Sequence, residues 1–273
     1  MPDPRYTAFA AKVRARERVL GYWVTLDSPV STERLARVGY DYVALDAQHG
    51  LLGYSGLLTG LTAIDAGGRS VGLVRVEAND PTYIGKALDA GAAGVIVPLV
   101  DDAAQAAAAV AAASYPPTGR RSFGPMRSGL RVGPSPAESD ETRVVLAMIE
   151  TPQGLANVAE ICATPGVDGV YVGPSDLCLA VGGAFPNDPA VTEEFEAALK
   201  IVREAAAAAG IAAGIHTASG QQAAQRLAEG YTLATVSSDL VHLEQAAAAH
   251  LAAASGAPAA SAGSAAPAST TGY

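Results

Sequence analysis

Lysine occurs only three times in the 273 residues, at Lys12, Lys86 and Lys200, and cysteine only twice, at Cys162 and Cys178. The cysteines form no CxxC pair and no zinc-type cluster, which fits free thiols in a reduced, cytoplasmic setting. Lys86 and Lys200 fall inside helical patterns, so no lysine is placed at a strand end to form a Schiff base. No GxGxxG follows the first apolar run, and a dinucleotide fold therefore has no fingerprint here. No run of about eighteen uncharged apolar residues suggests a membrane span. The N-terminal stretch has no continuous apolar core, so a signal peptide is not expected. A net charge of −9 excludes partners held by general electrostatics, such as nucleic acid or an anionic membrane.

What the chain has is apolar residues, 49% of the total against 16% charged, enough for a sizeable core. Eight short apolar runs recur: VLGYWVTL, YDYVALD, SVGLVRV, AGVIVPLV, VVLAMIE, DGVYVGP, IAAGIHT and TLATVSS. Helical patterns alternate with them, over 31–39, 54–66, 81–90, 101–114, 152–163, 190–209, 218–229 and 239–254. Continuous apolar strands suit a parallel sheet buried on both faces. Eight βα units predict an α/β fold, a single (β/α)8 TIM barrel over 1–254, with a doubly wound open sheet as the alternative. From about Ser255 the sequence turns to Ala, Ser and Pro without a periodic apolar face, and 255–273 is expected to be a disordered tail. The segment 115–141 is far longer than an ordinary connection and carries Arg120, Arg121, Arg127 and Arg131. It reads either as a solvated or intersubunit loop, or as a gate that selects a carboxylated acceptor.

In such a barrel the active site is built at the C-terminal ends of the strands. The second run ends in Asp46, Gln48 and His49, the third carries Arg75, the fifth ends in Glu150, and the sixth leads into Gly173, Pro174, Ser175 and Asp176. Each has a plain alternative. Arg75 could pair with Glu77 or Asp80, and Glu150 and Asp176 could cap the helices that follow them. Taken together at one rim, they suit a different chemistry. Glu150 and Asp176 fit a hard cation such as magnesium or manganese. His49, oriented by Asp46, fits a base near neutral pH. Arg75 offers a fixed fork for a developing oxyanion, and the Gly-Pro-Ser-Asp turn a cradle for a carboxylate. This set suits enolate chemistry on a 2-oxo acid.

The motifs GYWVTLDSP, YDYVALDAQHG, LVRVEANDP, ALDAGAAGVIVPLVDDAAQA, YPPTGRRSFGPMR, AMIETPQG and GVDGVYVGPSDL run through residues 18–250. Together they resemble the HpcH/HpaI family of metal-dependent (class II) pyruvate aldolases, whose type members cleave 4-hydroxy-2-oxoheptanedioate. The resemblance implies a (β/α)8 barrel whose last helix packs on a neighbouring subunit, in a trimer or hexamer. It implies Glu150 and Asp176 as ligands of Mg2+, Mn2+ or Co2+, and Arg75 on the keto oxygen of pyruvate. His49 and Asp46 become a catalytic dyad, and Gly173, Pro174, Ser175 and Asp176 hold the substrate carboxylate. Asp89 becomes an acid that reaches the histidine of a neighbouring subunit. Two positions depart from the type sequence: Gln48 replaces an acid near the metal, and Met148 replaces a glutamine. The expected substrates are a small 2-oxo acid and an aldehyde. The alternatives are an acyl-CoA lyase of malyl-CoA or citryl-CoA type, a decarboxylating or C–C bond-forming enzyme of secondary metabolism, and a non-catalytic barrel that binds a 2-oxo acid.

Overall fold

The computed structural model describes residues 3–132 and 135–256. Eight parallel strands close into a barrel in chain order: β1 Val19–Val24, β2 Tyr42–Asp46, β3 Val71–Arg75, β4 Gly94–Val97, β5 Val144–Ile149, β6 Gly169–Val172, β7 Ala212–Thr217 and β8 Leu233–Ser238. β8 pairs with β1, which completes the closure and removes the open-sheet alternative. All eight apolar runs are strands. Among the described residues the helices are α1 Pro4–Arg14, α2 Pro29–Leu35, α3 Tyr54–Gly67, α4 Pro81–Asp89, α5 Ala103–Ala113, α6 Pro136–Thr142, α7 Pro152–Ala156, α8 Val158–Cys162, α9 Pro174–Ala180, α10 Thr192–Ala209, α11 Gly220–Ala228 and α12 Asp239–Ala254. Of the tail expected from Ser255 onward, residues 257–273 lie outside the described residues.

Three helical details differ from the sequence pattern. The helix expected over 152–163 breaks at Asn157, which leaves helical geometry with φ −101° and ψ 11°. α9 forms directly after β6, begun by Pro174 at a position where a missing N–H costs nothing. α1 is a further helix, N-capped by the Asp3 carboxylate. Its apolar face, Tyr6, Phe9, Ala10 and Val13, joins the interior cluster formed by Trp23, Tyr42, Leu73, Ile96, Leu146, Met148 and Tyr171. α1 thus closes the N-terminal mouth of the barrel, where Phe9 meets the Tyr42 ring edge-on at 5.9 Å. The larger core lies outside the strands, between them and the ring of helices.

The arginine-rich connection follows a helix and precedes a strand, so it sits at this same N-terminal end. Arg127 and Arg131 pair with Asp65 on α3, and Arg121 pairs with Asp89 at 2.6 Å. Arg14 and Arg143 share Asp168. Three of the four loop arginines therefore tie the connection to the barrel's own N-terminal end, away from the C-terminal rim. The gate reading finds no support within one chain.

Packing inside the barrel is tightest where Gly21 faces Tyr42, its partner in the β1–β2 register. The Tyr42 ring occupies the space that a β-carbon at position 21 would need. Its hydroxyl and that of Tyr171 both bond Thr235 Oγ1. Gly21→Ala should therefore cost about 1–3 kcal/mol, the usual cost of overpacking a filled core. Thermal unfolding checks this; an unchanged Tm would mean that the ring can move aside.

Candidate active site

The C-terminal rim is organised by one carboxylate. Asp46, the last residue of β2, is fully buried beside Arg75, the last residue of β3 and its register partner. Asp46 accepts from Arg75 Nε at 2.9 Å and from Arg75 Nη2. It also accepts from the Trp23 indole N–H at 3.2 Å and from the backbone N–H groups of Gln48 and His49, both at 3.1 Å. Burial alone would raise the Asp46 carboxyl, but the Arg75 guanidinium outweighs it and holds the group below the usual carboxylate range. The partner of Arg75 is thus Asp46, not Glu77 or Asp80. Asp46 orients His49 at least through the main chain, by fixing the 46–49 turn.

Trp23 carries the second layer. The Arg75 guanidinium carbon lies 5.1 Å from the centre of its ring. Tyr171 stacks on the indole at 6.0 Å, and His216, near the end of β7, meets it edge-on at 5.3 Å. Burial, with the Arg75 charge adding to it, lowers His216 to about 4, so its ring is neutral at physiological pH.

Glu150 follows β5 and is almost fully buried. It does not cap the next helix; Thr151 does, through Gly154 N–H. Glu150 Oε1 accepts the Leu99 N–H at 2.8 Å. Burial raises its carboxyl to about 7, the negative charge of Asp176 adding to the effect and the Leu99 N–H opposing it. Asp176 sits in the first turn of α9. A side chain at Gly173 would run into the Glu150 carboxylate and the Met148 methyl. The glycine is what lets β6 end against that acid. His49 is exposed on its turn, and desolvation followed by the Arg75 charge lowers its pKa, against the pull of Asp46 and Asp176.

A small cleft opens between these groups, lined by Arg75, by the turn Gly173 to Asp176, by Met148 and by Trp23, Tyr171 and His216. Arg75, Gly173, Pro174, Ser175 and Asp176 therefore line one cavity. Asp46 is bonded to Arg75, and the charges of Arg75 and Asp176 reach Glu150 and His49. Asp89 does not join them. It ends α4 at the N-terminal end of the barrel, on Arg121. Trp23 and His216 were not singled out in the sequence, being embedded in apolar runs. Among the described residues there is no group of three or more His, Cys, Asp or Glu side chains suited to a metal, only the two carboxylates.

Comparison with known proteins identifies the family. Residues 19–246 match the model of the HpcH/HpaI aldolase/citrate lyase family. The chain belongs to that family. HpcH/HpaI members are carbon–carbon lyases, and the chain is similar to several named aldolases. One is the hydroxypyruvate/pyruvate aldolase of Rhizorhabdus wittichii, 45% identical over 84% of this chain and 90% of the relative. Another is the 5-keto-4-deoxy-D-glucarate aldolase of Klebsiella pneumoniae, 37% identical over 85% of this chain and 90% of the relative. The crystal structure of an HpcH/HpaI family protein from Burkholderia cenocepacia superposes with a TM-score of 0.84 at 31% identity, over 91% of this chain and 99% of that one. The family resemblance and the barrel fold expected from the sequence are thus both borne out.

The raised Glu150 carboxyl has a consequence for the cation-free protein. Its pKa lies above the ordinary 4.5, so its contribution to stability is complete below about pH 4.5 and is lost as the pH rises through about 7. The loss corresponds to about 3 kcal/mol. In chelator, Tm should fall more between pH 5 and pH 8 for the wild type than for Glu150→Gln. Parallel pH profiles would show that Glu150 ionises without cost.

Proposed function

We propose that this protein is a divalent-cation-dependent pyruvate aldolase that cleaves, or in reverse forms, 4-hydroxy-2-oxo acids to give pyruvate and an aldehyde. The observation that carries the reading is the placement of two mutually repelling carboxylates, Glu150 and Asp176, next to a fixed Arg75 guanidinium. Burial lifts the Glu150 carboxyl to about 7 and the charge of Asp176 adds to the rise; a cation held between the two would oppose both effects. The Gln48 amide oxygen is also buried without a protein partner, an acceptor suited to water in a cation's shell. Glu150 and Asp176 would hold Mg2+, Mn2+ or Co2+, and the bound ion supplies positive charge beside the keto oxygen of the substrate.

The remaining steps belong to the chain's own groups. Backbone N–H groups of Ser175 and Asp176 hold the substrate carboxylate. His49, kept neutral by its lowered pKa, takes the proton of the C4 hydroxyl through water. The C3–C4 bond breaks, the aldehyde carbonyl forms, and the bonding pair passes toward the keto oxygen, where Arg75 meets the developing charge. A proton returned to C3 gives pyruvate. All three lysines lie in helices, in α1, α4 and α10, which supports a mechanism without a Schiff base. The arginines that would serve an acyl-CoA lyase as phosphate contacts lie at the opposite end of the barrel, which weakens that alternative. Asp89 lies there too, so it could reach a His49 only across a contact between copies. The reading includes a homo-oligomer, a trimer or hexamer, working in the cytoplasm.

A panel of 4-hydroxy-2-oxo acids, assayed for pyruvate release with and without chelator, tests the reading. Release should stop in chelator and return with Mg2+, Mn2+ or Co2+; a borohydride-trapped pyruvate–lysine adduct would overturn it. His49→Ala should bind cation normally yet lose roughly 10² to 10⁴ in turnover. If His49→Ala loses cation binding while Glu150→Gln keeps it, the two roles are exchanged.

Arg75→Lys should lose on the order of 10² in kcat/KM, because a point charge does not reproduce the planar fork held by Asp46. Activity within a few-fold of wild type would mean that the fork does not face the keto oxygen.

A further inference from the structure

Among the described residues, eight buried side-chain nitrogen and oxygen atoms have no hydrogen-bond partner within the protein. Three of these, Arg121 Nε, Arg143 Nε and Ser128 Oγ, belong to residues that line one small cavity at the N-terminal end of the barrel, with room for about a single small ion or water. The three residues are 5%, 8% and 2% exposed. The Nη atoms of both arginines have partners of their own. Arg121 reaches Asp89 through Nη2 and Ser139 Oγ through Nη1, at 2.6 and 3.3 Å. Arg143 reaches Ser114 Oγ through Nη2 at 2.7 Å and lies 3.6 Å from Asp168 through Nη1.

We propose that this cavity binds a small monovalent anion of the halide class. A guanidinium N–H can only donate, and the Ser128 hydroxyl can donate as a third group. A water molecule could accept from both Nε–H groups and donate to Ser128 Oγ, whereas a halide accepts from all three and also meets the positive charge of the two guanidinium groups. Leaving the donors buried and unmet is unfavourable. The charged groups around the cavity are near balance: Arg14, Arg121 and Arg143 face Asp89, Asp168 and Asp140, the last turned toward Tyr115 N–H and Thr118. A singly charged ion upsets this balance less than a multiply charged one. Leu88, Ala92 and Val132 form the apolar part of the wall, which suits a weakly hydrated anion. Burial lowers the Arg143 guanidinium from its ordinary value, and a bound anion opposes that shift.

The three groups come from three places along the chain: the first stretch of the long connection, the 3-10 turn Ser128–Leu130, and the residue that caps α6 just before β5. The anion therefore fastens the connection to the barrel, at the end opposite the chemistry. The site stands independently of the aldolase reading.

The test is thermal unfolding of the full chain at constant ionic strength, with sodium chloride replacing sodium gluconate. Tm should rise by a few degrees and saturate, as binding to the folded state alone requires. Ser128→Asp places a carboxylate among the donors, so its Tm should no longer respond to chloride. Crystals soaked in bromide should show an anomalous peak within hydrogen-bond distance of Arg121 and Arg143. A folded Ser128→Asp variant that keeps the chloride response would overturn the assignment. So would the absence of an anomalous peak, with water alone in the cavity. If Ser128→Asp fails to fold, the bromide measurement decides.

Discussion

The buried pair between Asp46 and Arg75 is the interaction on which the rim depends. Both residues are withdrawn from water, and removing one partner of such a pair typically costs about 3–5 kcal/mol, because a bare charge stays behind. Stability alone would be served as well by two apolar residues. What the pair adds is position. Asp46 accepts from Arg75, Trp23 and two backbone N–H groups of the following turn, which fills the lone-pair sites of a carboxylate. That one acid fixes the plane of the guanidinium and the course of the chain to His49. It also draws in the indole on which Tyr171 and His216 pack.

The two ends of the barrel treat charge in opposite ways. At the N-terminal end, acids and arginines are matched: Asp65 takes Arg127 and Arg131, and Asp168 takes Arg14 and Arg143. These pairs tie α1 and the long connection over the closed mouth. At the C-terminal end, Asp46 takes Arg75, and among the described residues Glu150 and Asp176 form no ion pair, although the charges of Asp176 and Arg75 reach Glu150. In this fold the ends of the strands carry function and their beginnings carry stability, and the unequal distribution of charge follows that division.

The sequence made most of this legible, with two instructive exceptions. The eight strands stand out because apolar runs of that length alternate with helical patterns. The strand-end rule then brings Asp46, Arg75, Glu150 and Asp176 to one rim. α1 also has a signal, apolar residues at 6, 9, 10 and 13, the spacing of one helix face. Periodicity gives the face but not its destination, the barrel mouth. Trp23 and His216 are harder. Both faces of a barrel strand are buried, so an apolar run does not say which residues point inward. The placement of Asp89 and the arginines at the far end follows from the order of elements. A segment between a helix and the next strand lies at the N-terminal end, whatever chemistry its residues suggest.

Backbone strain shows the same division. Four non-glycine residues have positive φ: Arg16, Leu99, Asn187 and Ser237. Three of them follow or end β4, β6 and β8 and so lie on the C-terminal side, while Arg16 alone precedes β1. A left-handed conformation costs an ordinary residue roughly 1–2 kcal/mol, and at Leu99 the return on that cost is visible. With φ at 54°, its N–H points at Glu150 Oε1, and the side chain is left half exposed at the rim. Without that donor, a buried carboxylate oxygen would lack a hydrogen bond, a penalty of about 1–3 kcal/mol or more. The two terms are of similar size, so the strained backbone and the buried acid hold each other in place. Such outliers gather at working sites because only a tightly determined surrounding sustains them. Here the surrounding is β4 and β5, paired in register up to the turn that carries the strain.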